Sequence, residues 1–60
     1  MTEKHLCIAI DRHTKEQIGQ DMIIEAEDWY YARHKAAKQF REVNPNEERD
    51  WCIDSMHLSD

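Results

Sequence analysis

The segment HLCIAID near the N-terminus constrains the fold most, because it is apolar on both faces of a strand. Two apolar sets alternate along it: Leu6, Ile8 and Ile10 on one parity, and Cys7 and Ala9 on the other. A strand with two apolar faces is typical of the centre of a sheet rather than its edge. The sequence therefore predicts a strand that has a neighbour on each side.

Two further segments alternate in the same way. Residues 17–27, QIGQDMIIEAE, follow a polar turn and predict a second strand that pairs with the first as a hairpin. Gly19 predicts a bulge near the start of this strand, since glycine weakens regular pairing. Residues 51–58, WCIDSMHL, predict a third strand.

Between these strands the apolar period changes to 3.6 residues, which predicts a helix from Trp29 to Val43. Asp28 is suited to be its N-cap, because a carboxylate accepts hydrogen bonds from the free amides of the first turn. Pro45 disfavours the helical conformation at the preceding residue, so the helix should end at Asn44. The predicted buried stripe consists of Trp29, Ala32, Ala36, Phe40 and Val43, with Trp51 of the third strand beside it in the core.

The element order ββαβ predicts an α+β fold in which residues 1–60 form a single small domain. We expect a three-stranded antiparallel sheet in the order 2-1-3, with β1 central and one helix on one face. A single helix leaves the other face open, and a second copy of the chain or a target protein should cover it. The residues expected on this possible dimer face are Cys7, Ala9, Ile23, Cys52 and Met56.

Composition excludes several classes of protein. With 40% hydrophobic and 35% charged residues, the chain is too apolar for a disordered segment and too polar for a membrane protein. Nothing in it resembles a charged region followed by an apolar signal segment, so we expect a cytoplasmic protein. Two cysteines in such a chain are expected to be free thiols, with a bridge between Cys7 and Cys52 as the alternative.

The charge is distributed unevenly. The net charge is −5, yet residues 29–41 carry four basic and no acidic side chains. This face could contact phosphates, could be an ordinary solvated helix face, or could meet a protein partner. Because the remainder of the chain is strongly acidic and repels a polyanion, we expect a protein partner and consider nucleic acid less favoured. The predicted partner-binding residues are Tyr30, Tyr31, His34, Lys35, Lys38 and Arg41 on the helix, and Glu47, Glu48 and Asp50 after it.

Motifs for metal binding and catalysis are weak. Cys7 with His13, and Cys52 with His57, give Cys-x5-His and Cys-x4-His, but the tight Cys-x2-Cys turn of most zinc sites is missing. No nucleophile elbow, glycine-rich phosphate loop or paired-acid motif is present. We therefore expect no metal, no cofactor and no enzymatic activity.

The strand-to-helix junction resembles that of a class of small proteins. Its residues are Ile24, Glu25, Ala26, Glu27 and Asp28, followed by Ala32, Arg33 and Ala36. They resemble the junction of small ββαβ proteins encoded by bacteriophages and mobile elements, including some anti-CRISPR inhibitors. The resemblance implies a short, acidic, non-enzymatic protein that binds a host protein and inhibits or modulates a nucleic-acid-handling defence machine. The alternative is a small homodimeric DNA- or RNA-binding regulator that uses the basic helix face.

Overall fold

The computed structural model describes residues 1–58 and contains the expected elements in the order ββαβ. The strands are β1 (Glu3–Asp11), β2 (Gln17–Ala26) and β3 (Trp51–His57), and the helix is α1 (Trp29–Val43). The sheet is antiparallel throughout, in the order β2-β1-β3. The predicted α+β fold is therefore confirmed, with β1 in the centre.

Both ends of α1 have side-chain caps. The Asp28 Oδ1 atom accepts a hydrogen bond from the Tyr31 amide at 2.9 Å, which confirms the predicted N-cap. At the other end, the backbone amide of Asn44 donates to the Phe40 carbonyl at 2.8 Å, and the Asn44 side chain donates to the same oxygen.

Within residues 1–58, no helix is long and apolar enough to cross a membrane.

The predicted bulge lies where β2 passes β1. Cys7 pairs with Met22 and Ala9 pairs with Ile18, so three residues of β2 oppose a single residue of β1. Gly19 lies in this stretch with a φ of +75°, in the left-handed region that side chains with a Cβ rarely adopt. The glycine therefore permits the irregular register.

The face of β1 that α1 covers is the opposite of the predicted one. Cys7 and Ala9 are fully buried beneath the helix, and the Cys7 Sγ atom lies 3.8 Å from the carbonyl oxygen of Ala32. The larger side chains of β1, Leu6, Ile8 and Ile10, are half-buried on the open face. The prediction that Cys7 and Ala9 lie on the open face is therefore wrong.

Side-chain size explains this choice of face. Alternation determines which residues share a face, but it does not determine which face receives the helix. The helix contacts the sheet through Ala32 and Ala36, which are both 0% exposed. Small side chains on both sides allow the helix to lie close to the sheet, and Cys7 and Ala9 are the small set of β1. Leucine and isoleucine at those positions would hold the helix away.

The buried part of α1 is shorter than the predicted stripe. Phe40 is 3% exposed, but Trp29 and Val43 at the two ends are 57% and 71% exposed, so placing these two in the core was wrong. A helix of 15 residues is about 22 Å long, and its middle turns alone supply buried residues. Trp51 is half-buried, with its ring centroid 4.6 Å from that of Phe40.

The open face of the sheet has an apolar centre. The register places Ile23, Leu6 and Met56 side by side in one row across the three strands. Ile23 is 57% and Met56 64% exposed, because no second layer covers this face among residues 1–58. Cys52 lies on the same face, opposite Ile10. Three of the five residues expected on this face, Ile23, Cys52 and Met56, are therefore placed on it.

Candidate functional site

A groove of 570 Å³ runs between α1 and the edge strand β3. One wall is a side of the helix, since its residues recur at spacings of three and four. The other wall is the start of β3. Arg12, which follows β1, lies at one end of the groove. The lining residues are Tyr30, Arg33, His34, Ala37 and Arg41 from α1, Trp51, Cys52 and Ile53 from β3, and Arg12.

Three guanidinium groups line this groove. The Nε atom of Arg33 donates to the Ile53 carbonyl at 3.0 Å. The Nε atom of Arg12 lies 3.4 Å from the Trp51 carbonyl and 3.3 Å from Asp50 Oδ1. The guanidinium carbon of the third, Arg41, lies 5.3 Å from the centroid of the Trp51 ring. The two hydrogen-bonded arginines use Nε in these contacts, and the terminal nitrogens of a guanidinium are further donors.

The same contacts occupy part of the free edge of β3. The Leu58 amide, just after β3, donates to the Lys4 carbonyl at 2.9 Å. In the antiparallel register, the even-numbered residues of β3 therefore form their backbone hydrogen bonds with β1. The carbonyls of odd-numbered residues of β3 therefore face outward. Arg12 and Arg33 donate to two of them, and we call these occupied carbonyls the capped edge of β3.

The edge of β2 is capped in a similar way. The Lys35 ammonium donates to the Glu25 carbonyl at 2.9 Å, and the Gln17 side chain donates to the Gly19 carbonyl at 3.3 Å. The Lys35 side chain consequently lies along the β2 side of the helix. Its ammonium group is away from the groove and stabilises the seating of α1 on the sheet.

Exposed aromatic side chains adjoin the groove at the start of α1. Trp29, Tyr30 and Tyr31 are 57%, 56% and 54% exposed. The Tyr30 ring meets the His34 ring edge-on, with centroids 4.5 Å apart, and Arg33 lies over the Trp29 ring at 5.7 Å. Aromatic and arginine side chains are the types most enriched in protein interfaces.

The structure divides the six predicted helix residues into three groups, one of which is Lys35 on the β2 side. Tyr30, His34 and Arg41 line the groove. Tyr31 and Lys38 are exposed on the outer side of α1, away from the groove lining. The predicted residues thus lie partly in a concave site beside β3 and partly on the convex side of the helix.

The predicted acidic residues lie in the connection between α1 and β3. Glu47 bonds to the guanidinium of Arg49, with a second contact at 3.0 Å, and this hydrogen bonding lowers the pKa of Glu47. Asp50 pairs with Arg12, while Glu48 is exposed. The acidic connection therefore meets the basic groove at its Arg12 end, and the two charges form neighbouring surfaces.

Sequence reasoning missed Arg12, Arg33 and Trp51 as site residues. Arg12 follows the end of β1, and the strand order 2-1-3 places that end beside the start of β3. The predicted topology was therefore a signal that could have brought Arg12 next to Trp51. Arg33 borders the buried stripe of the helix on the side that faces β3, which periodicity alone does not identify.

Among residues 1–58, the cysteines and histidines form no cluster of three or more suited to a metal ion. Cys7 and Cys52 are free thiols on opposite faces of the sheet, so the alternative of a bridge between them is wrong. Burial, the largest effect, raises the pKa of Cys7, although Arg33 lowers it, and the thiol stays protonated at neutral pH. Within residues 1–58, no three or more His, Cys, Asp or Glu side chains are placed to hold a metal ion.

Comparison with known proteins adds no relative. Scans of family models, curated proteins and solved structures find no match for this chain. The groove, where three arginines, the Tyr30 and Trp51 rings and an acidic neighbour occur together, is therefore the feature that bears on function.

Proposed function

We propose that this chain is a small, non-enzymatic protein-binding module whose groove takes an acidic segment of a protein partner. The observation that carries the proposal is the convergence of Arg12, Arg33 and Arg41 on one groove in a chain whose net charge is −5. Basic side chains gathered in one concavity of an acidic protein focus its positive potential there.

The chemistry of the groove favours carboxylates together with apolar side chains. Guanidinium groups bind carboxylates through paired hydrogen bonds, which give strength and orientation. Tyr30 and Trp51 supply flat apolar surface beside them. A segment with acidic and apolar side chains in alternation matches this lining, and it would meet the helix on one side and β3 on the other.

A protein segment fits better than a nucleic acid. Asp50 and the exposed Glu48 lie at the Arg12 end, so a continuous polyphosphate that followed the groove would meet negative charge there. A protein segment can change from acidic to basic within a few residues and so match both surfaces. Nucleic acid is accordingly an outcome of the test below.

The resemblance of residues 24–36 supplies the expected kind of partner. We propose that the partner is a host protein in a nucleic-acid-handling machine, and that this chain is a phage or prophage inhibitor or modulator acting in the host cytoplasm. Proteins that resemble it at this junction bind host protein surfaces without cofactors. Fold alone does not carry this part of the proposal, because function resides in sites.

Binding of an acidic probe tests the groove. A fluorescein-labelled peptide of alternating glutamate and tyrosine is titrated with the protein, and its anisotropy is recorded at two salt concentrations. Arg41→Glu should weaken binding about tenfold or more, because it places a carboxylate in the groove. Lys38→Glu makes the same charge change on the outer side of α1 and should weaken binding less than about twofold.

Three outcomes would overturn the proposal. Equal losses in the two variants would mean that the peptide responds to overall charge rather than to the groove. No binding by the unmodified protein would remove the acidic segment as the ligand. Tighter and steeply salt-dependent binding of single-stranded DNA or RNA with the same number of charges would favour the nucleic-acid regulator instead.

The kind of partner needs a separate experiment. Tagged protein and the same two variants are incubated with nuclease-treated bacterial lysate, and the bound proteins are identified by mass spectrometry. A component of a nucleic-acid-handling machine retained by the unmodified protein and by Lys38→Glu, but lost with Arg41→Glu, is the expected result. Retention by all three proteins would contradict docking through the groove.

A further inference from the structure

We propose that His5 and His57 together bind one divalent transition-metal ion of the kind that prefers imidazole ligands, such as Ni²⁺, Cu²⁺ or Zn²⁺. Neither residue lines the groove, so the inference goes beyond the proposed function. His5 is 2% exposed, and neither of its ring nitrogens has a hydrogen-bond partner among residues 1–58. Buried polar side chains nearly always have a partner, so an unpaired imidazole indicates a ligand that the chain itself does not supply.

Strand pairing brings a second imidazole to this ring. His5 of β1 lies directly opposite His57 of β3. The adjacent pair, Lys4 and Leu58, makes the backbone hydrogen bond, so His5 and His57 form a pair without one. In such pairs the Cα atoms are about 4.5 Å apart, and the side chains approach each other more closely than at the other positions. Both imidazoles therefore project as neighbours from the same face of the sheet.

The separation of the two rings suits one ion between them. A ring nitrogen holds such an ion at about 2.1 Å, which places the ion about 3.2 Å from the centre of that ring. Two rings that bind one ion at the tetrahedral angle then have centres about 5.2 Å apart, and a wider angle increases this distance. The centres of the His5 and His57 rings are 5.6 Å apart, with their planes inclined at 58°. Ring rotations therefore suffice to bring one nitrogen of each ring to the ion.

Glu3 orients the His57 ring. Its Oε2 atom lies 3.1 Å from Nε2 of His57, and this contact leaves Nδ1 of the same ring for a metal. Metal-binding histidines usually donate their other N–H to an acceptor such as a carboxylate, which fixes the ring and makes the metal-binding nitrogen more basic. Glu3 is therefore a positioning residue of this site.

The pair is accessible from the His57 side. The His57 and Glu3 side chains are 52% and 55% exposed, so an ion reaches the rings from solvent. Because the chain supplies two ligands, water completes the coordination, and the affinity is lower than that of a structural zinc site with four protein ligands.

Calorimetric titration of the metal-free protein with Ni²⁺ tests the site. Ni²⁺ is the probe because imidazole suits it and because it does not oxidise the free thiols of Cys7 and Cys52. The unmodified chain should bind one ion, and His57→Ala should weaken binding by about tenfold or more. His13→Ala removes an imidazole that is 78% exposed beyond the other end of β1, and it should change the affinity by less than about twofold.

Thermal unfolding with and without Ni²⁺ tests the buried member of the pair. A ligand that binds only the folded chain raises the unfolding temperature, so the unmodified protein should unfold several degrees higher in saturating Ni²⁺. His5→Leu keeps a similar volume without a ring nitrogen, and Ni²⁺ should leave its unfolding temperature unchanged. Since the core of this variant stays filled, a lost shift reports the missing ligand rather than a lost fold.

Glu3→Ala tests the orienting contact. It should weaken Ni²⁺ binding about tenfold, whereas Glu25→Ala removes the same charge from the open face and should weaken it less than about twofold. No binding of Ni²⁺ by the unmodified chain, equal affinity in His57→Ala, or an equal shift of unfolding temperature in His5→Leu would overturn the proposal. None of these variants changes a residue of the groove, so the result is independent of the proposed function.

Discussion

Two polar side chains are buried among residues 1–58, and their environments contrast. Asp11 is 7% exposed, and its Oδ1 atom accepts hydrogen bonds from the amides of His13 at 2.8 Å and Thr14 at 3.3 Å, which lowers its pKa. His5 is 2% exposed, and neither of its ring nitrogens has a hydrogen-bond partner in the described part of the chain. A buried polar atom without a partner costs about 1–3 kcal/mol. His5 therefore reduces the stability of this small core.

Replacing the buried imidazole should stabilise the protein. His5→Leu removes two unpaired nitrogens and keeps a similar volume, so the free energy of unfolding should rise by about 1 kcal/mol or more. Urea denaturation followed by circular dichroism measures the change. Asp11→Ala is the contrasting variant and should lower stability, because two turn amides lose their acceptor. A lower stability for His5→Leu would show that the ring has a partner after all.

At the scale of elements, small side chains determine how α1 is seated. Ala32 and Ala36 face Cys7 and Ala9, and all four are fully buried. The helix can therefore lie close to β1 without a bulky residue between them. Such a contact leaves little space for additional atoms.

An enlarged side chain at this contact should unseat the helix. Ala36→Leu should lower the free energy of unfolding by about 2 kcal/mol, since overpacking moves the backbone or forces strained rotamers. Ala37→Leu adds the same atoms one position further along, where the side chain is half-buried at the groove, and should cost less than about 1 kcal/mol. Thermal unfolding measures both. Equal losses would mean that the Ala36 contact is not the limiting one.

The elements were predictable because their signals are local. Asp28 and Pro45 mark the ends of α1, and the two apolar faces of β1 indicate its central position. The covered face of β1 was not predictable from periodicity, because both parities are apolar and size alone distinguishes them. The helical period alone places Tyr30, His34 and Arg41 of the groove on one side of α1. Arg12 and Trp51 come together only through the pairing of β1 with β3.

At the scale of the molecule, long side chains occupy part of the outward carbonyls at both edges of the sheet. Arg12 and Arg33 cap two on β3, and Lys35 caps one on β2. An uncapped edge is a template for another strand, and a three-stranded sheet has two such edges. Capping by long cationic side chains therefore restricts growth of the sheet.

Uncapping the edge of β3 should promote assembly. The double variant Arg12→Ala/Arg33→Ala frees two carbonyls and should form larger species over time, detected by light scattering and thioflavin fluorescence. Lys38→Ala/Arg41→Ala removes the same two positive charges without freeing an edge carbonyl. Both variants become more negative than −5, and repulsion alone would reduce aggregation. Growth in the control as well would show that the freed edge carbonyls are not the cause.

The capped edges also determine what kind of polymer this chain can form. In polymer chemistry, a monomer with one reactive group gives pairs, whereas a monomer with two gives chains. A sheet with two free edges is a monomer of the second kind, and Arg12 and Arg33 on β3 and Lys35 on β2 occupy part of each edge. A strand that arrives at either edge must displace a cationic side chain before it can pair, so filaments of this protein should lengthen slowly even when its concentration rises.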